Sequence, residues 1–172
     1  MLTLALLRHA KSSSDDPDLD DFDRPLNARG LKTAPLMGQA LRDLGVAPGV
    51  ILCSPARRTR DTLELARLKF AGSEPDIRYD RALYLTTGTA LLAAVRQCKS
   101  PANTLLVVGH NPGLHDLALM LAGSGNRDAC ARLDEKFPTG ALAVFTFPHK
   151  TWRDIAPKAG QLAAFITPKD RA

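Results

Sequence analysis

Three short stretches of this 172-residue chain carry side chains suited to chemistry on an anion. They are Arg8-His9, then Ser54-Pro55 followed by Arg57-Arg58, and Gly109-His110-Asn111-Pro112. Two histidines and at least two arginines in one crevice would make a cationic pocket. Arginine's planar fork matches the oxygens of a phosphate, and helix N-termini beginning near Pro55 and Pro112 would aim free N–H groups at the same ligand. Taken singly, each stretch has a plainer reading. An Arg-His pair after a strand commonly faces a loop, Arg57, Arg58, Arg60 and Arg67 suit the solvated face of a helix, and His110 before Asn-Pro-Gly suits a turn. Joint placement argues for a site. Each stretch closes an apolar run, and ligands of open α/β sheets bind outside the carboxyl ends of the strands.

The elements that must position these residues are legible as apolar runs and periodic stripes. Leu2–Leu7, Val50–Cys53 and Thr104–Val108 are short continuous apolar runs, as expected for strands buried on both faces. Residues 15–30, rich in Asp, Pro, Asn and Gly, read as a long loop. Leu31–Leu44 carries apolar residues at helical spacing and stops at Gly45, with Pro35 tolerable only within the first turn. Ser54 as N-cap and Pro55 at the first helical position predict a helix running to about Phe70. Ile77–Tyr79 reads as a short strand and Thr89–Gln97 as a helix. Leu114, Leu117, Ala118, Leu121 and Ala122 form a stripe of i, i+3, i+4, i+7 and i+8 spacing, a further helix. The segment 123–136 reads as polar loop. Ala141–Phe147 and Leu162–Ile166 read as late strands near the sheet edge. Strands alternating with helices predict an α/β fold, a three-layer α/β/α sandwich with a mostly parallel central sheet, in one domain spanning residues 1–172.

Composition bounds the function classes. The chain has 45% hydrophobic and 24% charged residues, ordinary globular usage that excludes wholesale disorder. Nothing approaches the ~18 consecutive apolar residues of a membrane span. The Leu2–Leu7 run meets Arg8 too early for a secretory signal core of about 7–15 residues. Three widely spaced cysteines, Cys53, Cys98 and Cys130, read as free thiols of a cytoplasmic protein rather than as a disulfide framework or zinc knuckle. The net charge of +5 leaves nucleic acid open, but 5% aromatic residues and no stacking or zinc motif argue against it.

The motifs resemble a known family. Leu7-Arg8-His9-Ala10-Lys11-Ser12 resembles the Arg-His-Gly signature of the histidine phosphatase (phosphoglycerate-mutase-like) superfamily. Ser54-Pro55-Ala56-Arg57-Arg58-Thr59-Arg60-Asp61-Thr62 is similar to its S-P-x-x-R-x-x-x-T helix start, and Val108-Gly109-His110-Asn111-Pro112 to its G-H segment. Arg24-Pro25-Leu26-Asn27-Ala28-Arg29-Gly30 resembles the R-P-L-x-x-x-G stretch before the first helix. The motifs occur in family order from residue 7 to about 115, and the short chain with its G-H-N-P form points to the SixA-like phosphohistidine phosphatase branch.

The resemblance implies a phosphoglycerate-mutase-like fold without a large lid insertion, and a role for each residue. His9 would be the nucleophile that becomes a phosphohistidine. Arg8 and Arg58 would clamp the phosphoryl oxygens, His110 would add a fourth polarised contact, and the Asn111 main-chain N–H a further donor. Arg58 fits the spacing from Ser54 and Arg57 does not, which places Arg57 at the rim. Phosphoryl transfer is catalysed chiefly by positioning and charge stabilisation, so a ring of fixed donors is most of what it requires. His9 must attack as neutral imidazole, its other ring nitrogen held by a hydrogen bond and its protonated form disfavoured by the surrounding positive charge. Such a site needs no metal or other cofactor, and the sequence offers no ligand cluster for one.

Two departures from the family pattern stand out. Ala10 occupies the place of a glycine, a strain if the backbone there requires positive φ. The segment Asp80–Leu85, where larger relatives supply a proton donor, offers no convincing acid. An alkoxide leaving group needs that proton, whereas imidazole, with a pKa of about 6.5, departs readily. The predicted substrate is therefore phosphohistidine on a protein, such as a histidine phosphotransfer domain. The alternatives are a small phosphate ester hydrolysed at the same site, or a phosphate-binding module without turnover. Six aspartates between Asp15 and Asp23 read first as a solvated surface loop, with a rim that contacts a protein partner or holds an acid near His9 as the functional alternative. Their spacing does not match a calcium loop. With the core using nearly the whole chain, an open pocket is expected.

Overall fold

A computed structural model describes residues Met1–Ala172. The strand Leu2–Arg8 (β1) lies inside the sheet because both of its faces are apolar. Ala5 and Leu7 join one buried cluster, while Leu2, Leu4 and Leu6 join another. The remaining strands are Val50–Cys53 (β2), Asp76–Tyr79 (β3), Thr104–Gly109 (β4), Ala122–Gly125 (β5), Leu142–Phe147 (β6) and Gly160–Ile166 (β7). They form one sheet in the order β3-β2-β4-β1-β6-β7-β5. Every strand runs parallel to β1 except β6, which is antiparallel to both β1 and β7.

The helices Ala28–Asp43 (α1) and Arg57–Arg67 (α2) cover one face, where Met37, Ala40, Leu41 and Leu63 pack on the sheet. Gly88–Arg96 (α3), Gly113–Leu121 (α4) and Arg127–Glu135 (α5) cover the other through Leu91, Val95, Leu117, Leu121 and Leu133. The result is the expected α/β sandwich, with its crossovers delivering each β2, β4 and β1 terminus to the same end of the sheet. No helix is long and apolar enough to cross a membrane.

Several local expectations are corrected. The segment 123–136 is not loop. It supplies the edge strand β5 and helix α5, the latter capped by the Asn126 side chain accepting from Ala129 N–H at 3.0 Å. Only Leu133 of α5 is buried, so no apolar stripe reveals it. The strand β6 is interior rather than near the edge, held between β1 and β7. Helix α1 starts earlier than expected, at Ala28, because Asn27 caps it by accepting from Gly30 N–H at 2.9 Å. Pro35 therefore sits beyond the first turn. The carbonyl it deprives of a partner is that of Leu31, which is exposed, so water can serve it. Helix α2 begins at Arg57 with Ala56 as its cap residue and ends at Arg67, short of Phe70. Ser54 is not its N-cap, because it lies two residues before Ala56 and its hydroxyl accepts only a long 3.4 Å bond from Ala56 N–H.

Candidate active site

The pairing of β1 with β4 places Arg8 opposite Gly109, and β2 pairs Cys53 with Val108. The three chemical stretches therefore emerge side by side. His9 N–H donates to the Gly109 carbonyl at 3.1 Å, and Ser54 N–H to the Val108 carbonyl at 3.0 Å. Arg8, His9, Arg58, His110 and Asn111 all line one cavity of about 330 Å³. The rings of His9 and His110 lie 5.4 Å apart between centroids. Close approach behind the cavity depends on Gly30, where a Cβ would stand 2.2 Å from the Lys11 carbonyl oxygen.

His9 is buried, and its Nδ1 lies 2.8 Å from the Ala10 carbonyl oxygen. A carbonyl only accepts, so Nδ1 carries the proton and Nε2 presents its lone pair. Burial pushes the His9 pKa down to about 3, against the pull of the Ala10 bond and helped by the charges of Arg8, His110 and Arg58. The neutral His9 imidazole expected from sequence thus owes more to desolvation than to neighbouring charge. His110 is pushed down to about 4, by burial first and by Arg58 next. Its Nε2 lies 2.8 Å from Ser54 Oγ, which also accepts a long 3.4 Å bond from Ala56 N–H. Ser54 is fully buried and Nε2 is the only acceptor its hydroxyl proton meets, so the hydroxyl donates to Nε2 and leaves the imidazole proton on Nδ1, which is buried without a partner.

The arginines are fixed from behind. Arg8 donates through Nη1 to the Phe137 carbonyl at 3.1 Å, and its pKa is lowered by burial and by the charge of Arg58. Arg58 donates through Nη1 to the Asp21 carbonyl at 2.7 Å and through Nη2 to the Asp21 carboxylate at 2.9 Å. In both arginines Nε is buried and unpartnered. Asn111 donates from Nδ2 to the same Phe137 carbonyl at 2.8 Å. Arg57 lies apart, exposed and 3.5 Å from Asp61. Ala10 shows no positive φ, which removes the strain its side chain would bring. Its N–H donates to Thr62 Oγ1 at 2.9 Å, and that hydroxyl donates to the Arg58 carbonyl at 2.7 Å, tying β1 to α2.

Sequence reading missed Ser54 as partner of His110, Asp21 as the brace of Arg58, and the Phe137 carbonyl. Ser54 was visible but assigned to the helix cap. Asp21 is one of six aspartates in its loop with nothing to single it out, and a carbonyl carries no sequence signal. No carboxylate lines the cavity. Asp80 caps a turn by accepting from Ala82 N–H, and Asp21 is occupied by Arg58 and Tyr84. No group of three or more His, Cys, Asp or Glu side chains is placed to hold a metal ion.

The sequence profile of the histidine phosphatase superfamily (branch 1) matches residues 4–83. A solved structure from Nakamurella multipartitia, provisionally assigned as the phosphohistidine phosphatase SixA, is 31% identical with a TM-score of 0.81. The match covers 97% of this chain and 96% of that one. The chain belongs to the histidine phosphatase superfamily. It is accordingly a phosphatase, built on the phosphoglycerate-mutase-like α/β fold. A second structure, provisionally assigned as SixA from Agrobacterium tumefaciens, is 29% identical with a TM-score of 0.80, covering 97% of this chain and 98% of that one. An uncharacterised Mycobacterium leprae protein is 36% identical over 167 residues, 95% of this chain and all of that protein. These relatives match the chain over nearly its whole length, late strands included.

Proposed function

We propose that this histidine phosphatase removes the phosphoryl group from phosphohistidine on a protein, through a phosphorylated His9 and without a metal ion. The observation that carries the reading is that four side chains lining the His9 cavity, Arg8, Arg24, Arg58 and His110, each keep a buried N–H with no protein partner: Nε in the arginines and Nδ1 in His110. Buried donors left unpaired cost about 1–3 kcal/mol each, and a phosphoryl group would satisfy them together. His9 Nε2 attacks phosphorus as the bond from phosphorus to the substrate nitrogen breaks. The substrate imidazole, protonated on its other ring nitrogen, leaves neutral. Water then attacks the phosphorus of phospho-His9, giving a proton to solvent, and restores the free imidazole. His110 donates from Nδ1 and the arginines hold the developing charge, with the Asn111 main-chain N–H, which has no backbone partner, as a further donor.

The absence of a carboxylate from the cavity supports a phosphohistidine over an alkyl phosphate, since only the second requires a proton donor. A histidine displayed on a phosphotransfer protein also suits a cavity reached without any inserted lid. Turnover of phosphoimidazole, an aryl phosphate and a sugar phosphate is the test, using wild type and His9→Ala with excess chelator. Phosphoimidazole should be the best substrate, His9→Ala inactive, and chelation without effect. Higher kcat/KM on the sugar phosphate would overturn the substrate class, equal rates in His9→Ala would overturn the nucleophile, and loss of activity with chelator would overturn the metal-free reaction.

A further inference from the structure

A second concavity, about 420 Å³, opens beside the phosphate cavity at the same end of the sheet. The two share Lys11 and Thr139 in their walls, so they form one continuous surface. The dividing segment is the connection from α5 to β6. Its Phe137 carbonyl holds Arg8 and Asn111 on one side, while Lys136 and Thr139 line the second concavity. Arg29 reaches it from the first turn of α1, and Lys169 from the C-terminal turn Pro168–Arg171.

Charge distinguishes this cleft. Lys11, Arg29, Lys136 and Lys169 are exposed, and none of them is paired with a carboxylate. Arg132 in the same wall is spent on Asp170 and on the Phe165 carbonyl. Glu135 is the remaining acid, so the cleft keeps a clear positive excess. The cations differ in kind from those around His9. There the donors are buried and convergent, as one compact phosphoryl group requires. Here they are flexible, solvated and spread around a broad depression, as suits several separated carboxylates. A nucleotide would need a platform for its base. The one apolar lining residue, Phe165, is 5% exposed, packed by Phe137 at 5.5 Å and covered by Arg132 at 5.6 Å.

We propose that this cleft receives an acidic stretch of the substrate protein flanking its phosphohistidine, and so sets substrate preference. The proposal rests on the phosphohistidine reading above. Complementary charge acts chiefly on encounter and on ground-state binding, so its effect belongs in KM and in salt dependence rather than in kcat.

The test compares two phosphohistidine peptides, one flanked by Asp and Glu and one by Ser and Gln, with free phosphoimidazole as the common small substrate. Wild type should prefer the acidic peptide, with the preference fading as salt rises. Lys136→Glu/Lys169→Glu should lower kcat/KM on the acidic peptide by at least about tenfold, mostly through KM, while leaving phosphoimidazole turnover intact. Lys136→Ala/Lys169→Ala should shift it in the same direction by less. Equal kcat/KM for the two peptides would overturn the proposal, as would a parallel loss on phosphoimidazole in the variants. Preference for a nucleoside diphosphate over the acidic peptide, abolished by the same substitutions, would overturn it in favour of a small polyanion. Failure of wild type to turn over phosphoimidazole would overturn the phosphohistidine reading itself and this proposal with it, an outcome distinct from a working site indifferent to the flank.

Discussion

At the scale of single residues, two neutral imidazoles with different jobs come from two different partners. The Ala10 carbonyl takes the proton side of His9 and leaves Nε2 with a free lone pair. The Ser54 hydroxyl takes the lone-pair side of His110 and leaves a donating Nδ1. Burial keeps both uncharged, at about 3 and about 4. Imidazole ¹⁵N shifts should therefore show both rings neutral and both protonated on Nδ1 from pH 8 down to about 5, well below the ordinary histidine pKa of about 6.5. Titration of either ring near that ordinary value would contradict the arrangement. Ser54→Ala should lower kcat/KM on an aryl phosphate roughly tenfold, as expected for a lost hydrogen bond of about 1–1.5 kcal/mol, and should release the His110 tautomer in the same spectra. An unchanged His110 signal would remove Ser54 from that role.

At the scale of elements, the phosphate cavity depends on a short strap rather than a lid. The turn Asp21–Asp23 lays Asp21 on the outer edge of Arg58, and Tyr84 donates to the same carboxylate. Phe22 meets Tyr84 edge-on at 5.1 Å, Tyr84 meets His110 at 5.4 Å, and the Arg81 guanidinium covers Phe22 at 4.3 Å. Although burial opposes it, the bonds from Tyr84 and Arg58 hold the Asp21 carboxyl below the usual carboxylate range. Asp21→Ala should lower kcat/KM roughly tenfold and weaken inhibition by inorganic phosphate, because an unbraced Arg58 loses orientation. Tighter phosphate inhibition would instead make Asp21 a competitor for the site. The strands and helices bearing His9, Arg58 and His110 were legible because each joins a buried apolar run to a motif. The strap was not, because six aspartates in one loop differ only in what folds against them. Helix α5 escaped for the opposite reason, since it is polar overall and buries a single leucine. The antiparallel β6 is as apolar as its neighbours, so its sequence is silent on direction and on its place beside β1.

At the scale of the whole molecule, the net charge of +5 has a location. Part of it is sunk in the phosphate cavity and part lines the adjoining cleft, both over the carboxyl ends of one sheet. Placing titratable rings at the buried end of the core ties stability to pH. His9 is 6% exposed and His110 3%, with folded pKa values near 3 and 4 against about 6.5 in the unfolded chain. Between these limits the unfolded state binds more protons, so stability is full above the unfolded value and declines as pH falls towards the folded ones. At pH 4.5 each ring should have cost on the order of 2–3 kcal/mol, together a large part of an ordinary domain's 5–15 kcal/mol. Asp21 and Asp170, held below the usual carboxylate range, add their losses mainly below about pH 4. Urea unfolding between pH 7.5 and 4.5 should therefore show a steep decline in wild type and a shallower one in His9→Gln, whose amide cannot gain a proton. Parallel declines in the two proteins would show that His9 is not protonated on unfolding across this range, and would remove the link between the buried His9 ring and acid stability.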